Sequence, residues 1–314
     1  MKKKLLIFSF VLDLIFLLTL IPRFFPQQEA KPFDGCKALV IGDSLTYAGE
    51  WQKVLEENLG MEVTTHAKGG VGLIHMVDGE LGLSGDYTAS PSSLKPLSTK
   101  DVKEQDFILL YGGYNNRGRL AGSVGDCYSP DGTGQGSFAG VMQYAVNRIQ
   151  ELLIAAGNRD CKIMIVTMDC VGKYGWIDAD AFGEYPLGSG QTLQDLVDIQ
   201  IAVAEHNGLE YCDLYRWSGI NQNTWHLYSK DAESVKDQWS VYKLDSQGNA
   251  VSTVRQTYEK GLSYYQIRNG KVVLEEYQGN VPYPYNGDQV HKNALGYQKI
   301  GKTIADRMLE VYGS

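Results

Sequence analysis

The chain has no Cys-x-x-Cys and no His-x-x-x-His spacing, so it offers no ready metal-ligand pattern, and no glycine-rich phosphate-binding motif appears. Positive charge is in deficit. Twenty-nine Lys and Arg face 37 Asp and Glu, and the formal net charge of −8 argues against nucleic acid as a partner. Cysteine is scarce as well: Cys36, Cys127, Cys161, Cys170 and Cys212 leave one thiol over however they pair. Cys161 and Cys170 bracket a single extended run and cannot reach each other, whereas Cys127 with Cys170 is conceivable. No cofactor and no metal are expected.

The N-terminus carries a targeting signal. Lys2, Lys3 and Lys4 precede an apolar run from Leu5 to Ile21 that only Asp13 interrupts. Positive charge ahead of an apolar segment keeps the N-terminus inside and sends the following chain across the membrane. The run is near the lower length limit for a spanning helix and long for a signal-peptide core. Pro22, Arg23 and Phe24 follow it in place of a small-x-small cleavage site, and no cysteine there provides a lipid anchor. We read residues 1–24 as a signal anchor, with a cleaved signal peptide as the alternative. A linker over 25–35 and an extracytoplasmic folded domain over 36–314 follow. Asp13 is expensive at mid-membrane, and nothing in the sequence accounts for it.

Within that domain, short β-branched apolar runs alternate with helical periodicity. Ala38–Ile41, Met61–Thr65, Phe107–Tyr111, Lys162–Met168 and Leu209–Leu214 read as five strands. Helical stripes lie between and after them. One contains Trp51, Val54, Leu55 and Leu59, and the next Val141, Tyr144, Ala145, Ile149, Leu152 and Ala156. A third contains Leu193, Leu196, Val197, Ile201 and Ala204, closed by Asn207-Gly208, and the last Tyr297, Ile300, Ile304, Met308 and Val311. This alternation predicts an α/β fold, a doubly wound five-stranded parallel sheet of flavodoxin-like type with right-handed crossovers. Gly79–Lys100, rich in Gly, Ser and Pro, and the glycine-rich Gly118–Gly136 read as loops. Residues 217–280 break the pattern. Val241–Leu244 with Ala250–Val254, and Tyr264–Ile267 with Val272–Leu274 around Asn269-Gly270, predict hairpins of a small antiparallel β insertion before the last helix.

The first apolar run stops on Gly42-Asp43-Ser44-Leu45, which puts a serine hydroxyl in a β-to-α turn at a helix N-terminus. Far downstream, Asp288-Gln289-Val290-His291 places a carboxylate three residues before an imidazole. Alone, Ser44 reads as a helix N-cap and His291 as a surface histidine. Together they supply a nucleophile, the base it needs and the group that orients that base. No Gly-x-Ser-x-Gly elbow is present, because Thr46 stands at the second glycine position, and this disfavours an α/β-hydrolase.

With these motifs the chain resembles the SGNH (GDSL-type) hydrolases. The resemblance covers roughly residues 36–170 and 281–312 and follows the family's blocks in order. Gly42-Asp43-Ser44-Leu45 matches the first, with Ser44 at the nucleophile position. Lys68-Gly69-Gly70-Val71-Gly72 matches the second, in which Gly72 best fits the oxyanion-hole glycine and Gly70 is the runner-up. Gly113-Tyr114-Asn115-Asn116 matches the third; Asn115 fits the oxyanion-hole amide, and Asn116 departs from the usual Asp, which puts loop geometry in question. Asp288-Gln289-Val290-His291 is the fourth. The resemblance implies a Ser44–His291–Asp288 triad and an oxyanion hole made by Ser44, Gly72 and Asn115.

The expected activity is hydrolysis of a carboxylic ester, most simply a short-chain acyl or acetyl ester on a glycan. An O-acyltransferase using the same triad and a non-catalytic glycan-binding module are the alternatives. Trp217, Trp225, Tyr228, Trp239, Tyr242, Tyr264, Tyr265, Tyr283 and Tyr285 crowd the later region. Packing of the insertion is the favoured reading of these rings, and stacking on sugar is the other. His226, also there, reads as a surface residue.

Overall fold

The computed structural model describes residues 30–79, 94–129, 133–134, 136–171, 189–221, 224–228, 230, 238–244, 250–257, 263–268, 271–276 and 290–313. Its central sheet is fully parallel, in the order β2-β1-β3-β4-β5, with β1 over Lys37–Gly42, β2 over Glu62–Ala67, β3 over Phe107–Tyr111, β4 over Lys162–Val166 and β5 over Glu210–Cys212. This is the flavodoxin-like arrangement expected from the sequence. β1 and β3 are central and almost wholly buried, whereas β2 lies at the edge and leaves Glu62, Thr64 and Thr65 exposed. That burial explains their compositions: an inner parallel strand is covered on both faces, an edge strand is not.

Between β1 and β2 come α1 (Ser44–Tyr47) and α2 (Gln52–Leu59). After β2 come α3 (Leu73–Asp78) and α4 (Thr99–Val102), and α5 (Phe138–Ala156) connects β3 to β4. Helix α6 (Leu193–His206) connects β4 to β5, and α7 (Leu214–Trp217), α8 (Trp225–Tyr228) and the terminal α9 (Ala294–Tyr312) follow. Right-handed crossovers place α2 on one face of the sheet and α3, α5 and α6 on the other, because the chain reverses direction after β2. Helix α9 closes the first face by packing on α2, where a Cβ on Gly301 would come within 2.6 Å of Trp51 O.

The helix ends follow local chemistry. Helix α2 stops at Gly60, whose φ of 78° is the left-handed conformation of a C-cap. Thr192 and Asp195 form a capping box at the start of α6, and Asn293 Oδ1 accepts from Gly296 N at the start of α9. The predicted apolar stripes are the buried ones: Val141, Ala145, Ile149 and Leu152 in α5, and Tyr297, Ile300, Ile304 and Met308 in α9. Truncating one of the fully buried β1 or β3 side chains, such as Leu39 or Leu109, to alanine should cost about 2–5 kcal/mol.

The structure departs from expectation at β5, which ends at Cys212 instead of running to Leu214. Asp213 terminates it by turning its carboxylate onto Arg216 N and capping α7. The conceivable Cys127–Cys170 disulfide is not made. All five cysteines are free, with Cys127 exposed and Cys170 buried. Burial, with Asp169 adding to it, pushes the Cys170 thiol up to about 12.

The insertion contains two antiparallel hairpins, β6 (Gln238–Leu244) with β7 (Ala250–Thr257) and β8 (Ser263–Arg268) with β9 (Lys271–Glu276). Both lie where turn chemistry placed them; the second register pairs Arg268 with Lys271 across Asn269-Gly270. The N-terminal apolar segment lies outside the described residues. Among the described ones, no helix is long and apolar enough to cross a membrane.

Candidate active site

Ser44 is the first residue of α1, immediately beyond β1, and it is half-buried. The turn that delivers it is tight. A Cβ on Gly42 would sit 2.4 Å from Tyr111 O and 2.2 Å from Thr46 Oγ1, so only glycine lets α1 fold back over the ends of β1 and β3. Thr46 Oγ1 donates to Tyr111 O at 3.3 Å and Gln52 Nε2 donates to Thr46 O at 2.6 Å. These bonds pin the short helix to the sheet edge and to α2.

The N-cap of α1 is Asp43, not Ser44. Asp43 Oδ1 accepts from Leu45 N at 3.0 Å, which leaves the Ser44 hydroxyl outside the cap. Asp43 is 1% exposed. Burial pushes its carboxyl up to about 7, against the Leu45 bond and the proximity of His291, while Asp169 raises it further. The residue beside the serine is therefore close enough to both His291 and Asp169 to feel their charge.

The loop after β2 reaches the same point. A Cβ on Gly69 would lie 3.8 Å from Ser44 Cβ, and Gly70 has a φ of 81°. Gly72 is the N-cap of α3 with extended backbone, φ −88° and ψ 173°, so its own N–H precedes that helix's ladder. Its carbonyl accepts from Met76 N at 3.0 Å.

Beyond β3, Tyr114–Asn116 forms a single 3-10 turn. Asn115 Nδ2 donates to Val71 O at 3.0 Å. An amide nitrogen carries a second hydrogen, so this bond orients Asn115 beside the glycine loop and still leaves a donor. Asn116 answers the question raised by its departure from Asp: it is buried, and its Oδ1 accepts from Leu73 N at 2.8 Å. That is an acceptor's task, which amide and carboxylate perform equally.

His291 is half-buried in the segment leading to α9. Its carbonyl accepts from Lys230 N at 2.9 Å, and Asn293 N donates to Tyr228 O at 2.9 Å. Asn293 Nδ2 donates to Leu227 O, also at 2.9 Å. The close fit continues at Gly296, where a Cβ would lie 2.7 Å from Tyr228 O. The entry to the insertion thus brackets the histidine segment. Asp288 lies outside the described residues, as does the side chain of His226.

Pattern reading missed one group altogether. Asp169, just past β4, is fully buried and forms an ion pair with buried Lys292 at 2.7 Å. Tyr111 OH donates to Asp169 Oδ1 at 2.8 Å, and Tyr114 OH donates to the Asp169 carbonyl. Burial, and then Asp169, raise the Tyr111 phenol well above its ordinary range. A signal was available: Asp169 and Lys292 are charged, and they sit directly beside an apolar run and a motif histidine respectively.

Of the crowded aromatics, Trp217 stacks on Tyr211 at 6.0 Å, and the Arg307 guanidinium lies 5.5 Å from the Trp217 ring centre. Trp225 and Tyr228 pack against the core. These three behave as packing residues. The side chains of Trp239, Tyr242, Tyr264 and Tyr265, and all of Tyr283 and Tyr285, lie outside the described residues. No cluster of metal-ligating side chains occurs among the described residues.

No family profile and no curated protein matches the chain. Solved structures do match in fold. One, described as a possible lipase from Chitinophaga pinensis, is 17% identical with a TM-score of 0.50 over 88% of this chain and 99% of that one. A protein from Lactobacillus plantarum is 14% identical with a TM-score of 0.51, covering 89% of this chain and 99% of its own. A further crystal structure is 17% identical with a TM-score of 0.53 over 90% and 99%.

Proposed function

From the doubly wound fold that the chain shares with the SGNH (GDSL-type) hydrolases, we propose that it is a serine esterase acting outside the cytoplasm, tethered through residues 1–24. The observation that carries this reading is the placement of Ser44. It opens a helix at the carboxyl edge of the sheet, is freed from capping by Asp43, and adjoins a carboxyl that senses His291.

Ser44 Oγ attacks the ester carbonyl while His291 takes its proton, and Asp288 holds the imidazole in the required tautomer. Negative charge moves onto the carbonyl oxygen, where the Ser44 and Gly72 N–H groups and the second hydrogen of Asn115 Nδ2 receive it. Collapse of this intermediate breaks the ester C–O bond, and His291 returns its proton to the departing alcohol. Water, deprotonated by the same histidine, then attacks the acyl-serine; the acyl C–Oγ bond breaks, the carboxylic acid leaves, and His291 returns the proton to Ser44 Oγ.

The substrate class is a short-chain acyl ester, with acetylated carbohydrate the first to try. Tyr47, three residues after Ser44 on the same short helix and 65% exposed, offers a ring on which a flat sugar face can rest.

A serine-directed phosphonate tests the reading on the full chain. Labelling at Ser44, together with p-nitrophenyl acetate turnover that Ser44→Ala abolishes, is the expected result. Labelling elsewhere, or undiminished turnover by Ser44→Ala, refutes it.

A further inference from the structure

Lys292 directly follows the proposed general base, and its ammonium is out of water. The Lys292 side chain is 1% exposed and that of Asp169 0%. Nζ is ion-paired with Asp169 Oδ2 at 2.7 Å, and it donates to Val290 O at 2.9 Å and Cys170 O at 3.2 Å. The ammonium thus has two carbonyl acceptors and one carboxylate counter-charge around it. Two of these partners belong to the residues just past β4, and the third to the residue before His291.

Asp169 carries the connection onward. Its Oδ1 accepts from Tyr111 OH at 2.8 Å and lies 3.1 Å from Tyr114 OH. Tyr111 ends β3 and Tyr114 begins the turn that presents Asn115. One buried group thus joins the end of β3, the Asn115 turn, the exit of β4 and the histidine segment. On its other side, that segment is held by the backbone bonds to Tyr228 and Lys230.

A buried ion pair is a poor device for stability alone. Taking both charges from water costs much of what their attraction returns, and well-packed apolar side chains often hold a fold as well or better. What such a pair does supply is direction, since its partners must meet at one place. We propose that Lys292 is a positioning residue: anchored on Asp169, it sets the His291 backbone, and so the reach of the imidazole toward Ser44. The proposal rests on the Ser44–His291 reading above. Proton transfer tolerates little error in that reach, and a displacement near 1 Å costs roughly a hundredfold in rate.

The test is the double variant Lys292→Met with Asp169→Asn, made in the full chain. It leaves no unpaired buried charge and keeps an acceptor for Tyr111. The expected result is a melting temperature close to that of the parent and the same end point in phosphonate titration. The kcat for p-nitrophenyl acetate falls roughly ten- to a hundredfold with KM unchanged. Lys292→Gln, which retains a donor for the two carbonyls, serves the same comparison if the double variant does not fold. An unchanged kcat overturns the proposal. So does a loss fully matched by a smaller titratable fraction, which would make the pair a structural element only. A parent protein that neither turns over esters nor labels at Ser44 refutes the underlying esterase reading instead.

Discussion

Replacing Asp43 by asparagine should flatten the dependence of stability on pH. The carboxyl is 1% exposed, and Oδ2 has no hydrogen-bond partner among the described residues. Burial moves its pKa from 3.8 to about 7. The native state therefore holds a proton that the unfolded chain releases across this interval. A raised folded-state pKa means that the unfavourable contribution is absent below the unfolded value and complete above the folded one. At about 1.4 kcal/mol per unit, the full penalty is roughly 4 kcal/mol, and between pH 5 and 8 it grows by about 2–3 kcal/mol. Asparagine keeps the acceptor for Leu45 N and has no proton to lose in this range. Urea unfolding of both proteins at pH 5 and 8 isolates the difference, because every other titrating group is common to the two. The parent should lose about 2–3 kcal/mol more stability than Asp43→Asn over that interval. Parallel pH profiles would refute the account, since they would mean that the carboxyl is solvated or paired in a way its geometry does not show.

Asn115→Ala removes the side-chain donor proposed for the oxyanion and should lower kcat by about 10²–10³-fold with a much smaller change in KM, measured on p-nitrophenyl acetate. Asn116→Ala leaves Leu73 N without its acceptor at a buried site and should cost about 1–3 kcal/mol in urea unfolding. A change below about 0.5 kcal/mol would mean that the start of α3 finds another partner.

Much of the fold is legible in single segments because its signals are local. An inner strand must be apolar on both faces, and β1, β3 and β4 read that way without reference to one another. Gly60 announces a helix end through a left-handed backbone conformation that few residues accept, and the dipeptide Asn269-Gly270 favours a hairpin turn. The apolar pattern alone carries β5 on to Leu214, because Asp213 can be a strand residue or a cap and only the position of Arg216 decides between them. Asn116 looked like a defect in its motif until the N–H it serves, on Leu73, came into view.

Local pattern along the chain sufficed for the order of strands and helices and for the placement of Ser44 at the end of the first strand. These rest on spacing between neighbours, which sequence preserves. The folded arrangement alone seals Asp43 from water and buries Lys292 against Asp169. It also brings segments after β2, β3 and β4 together around the turn that carries Ser44. The reason is distance along the chain. Lys292 and its carbonyl partner at Cys170 are 122 residues apart, and no local preference of either specifies the other. A buried charge is set by what surrounds it, and those surroundings exist only once the sheet has formed.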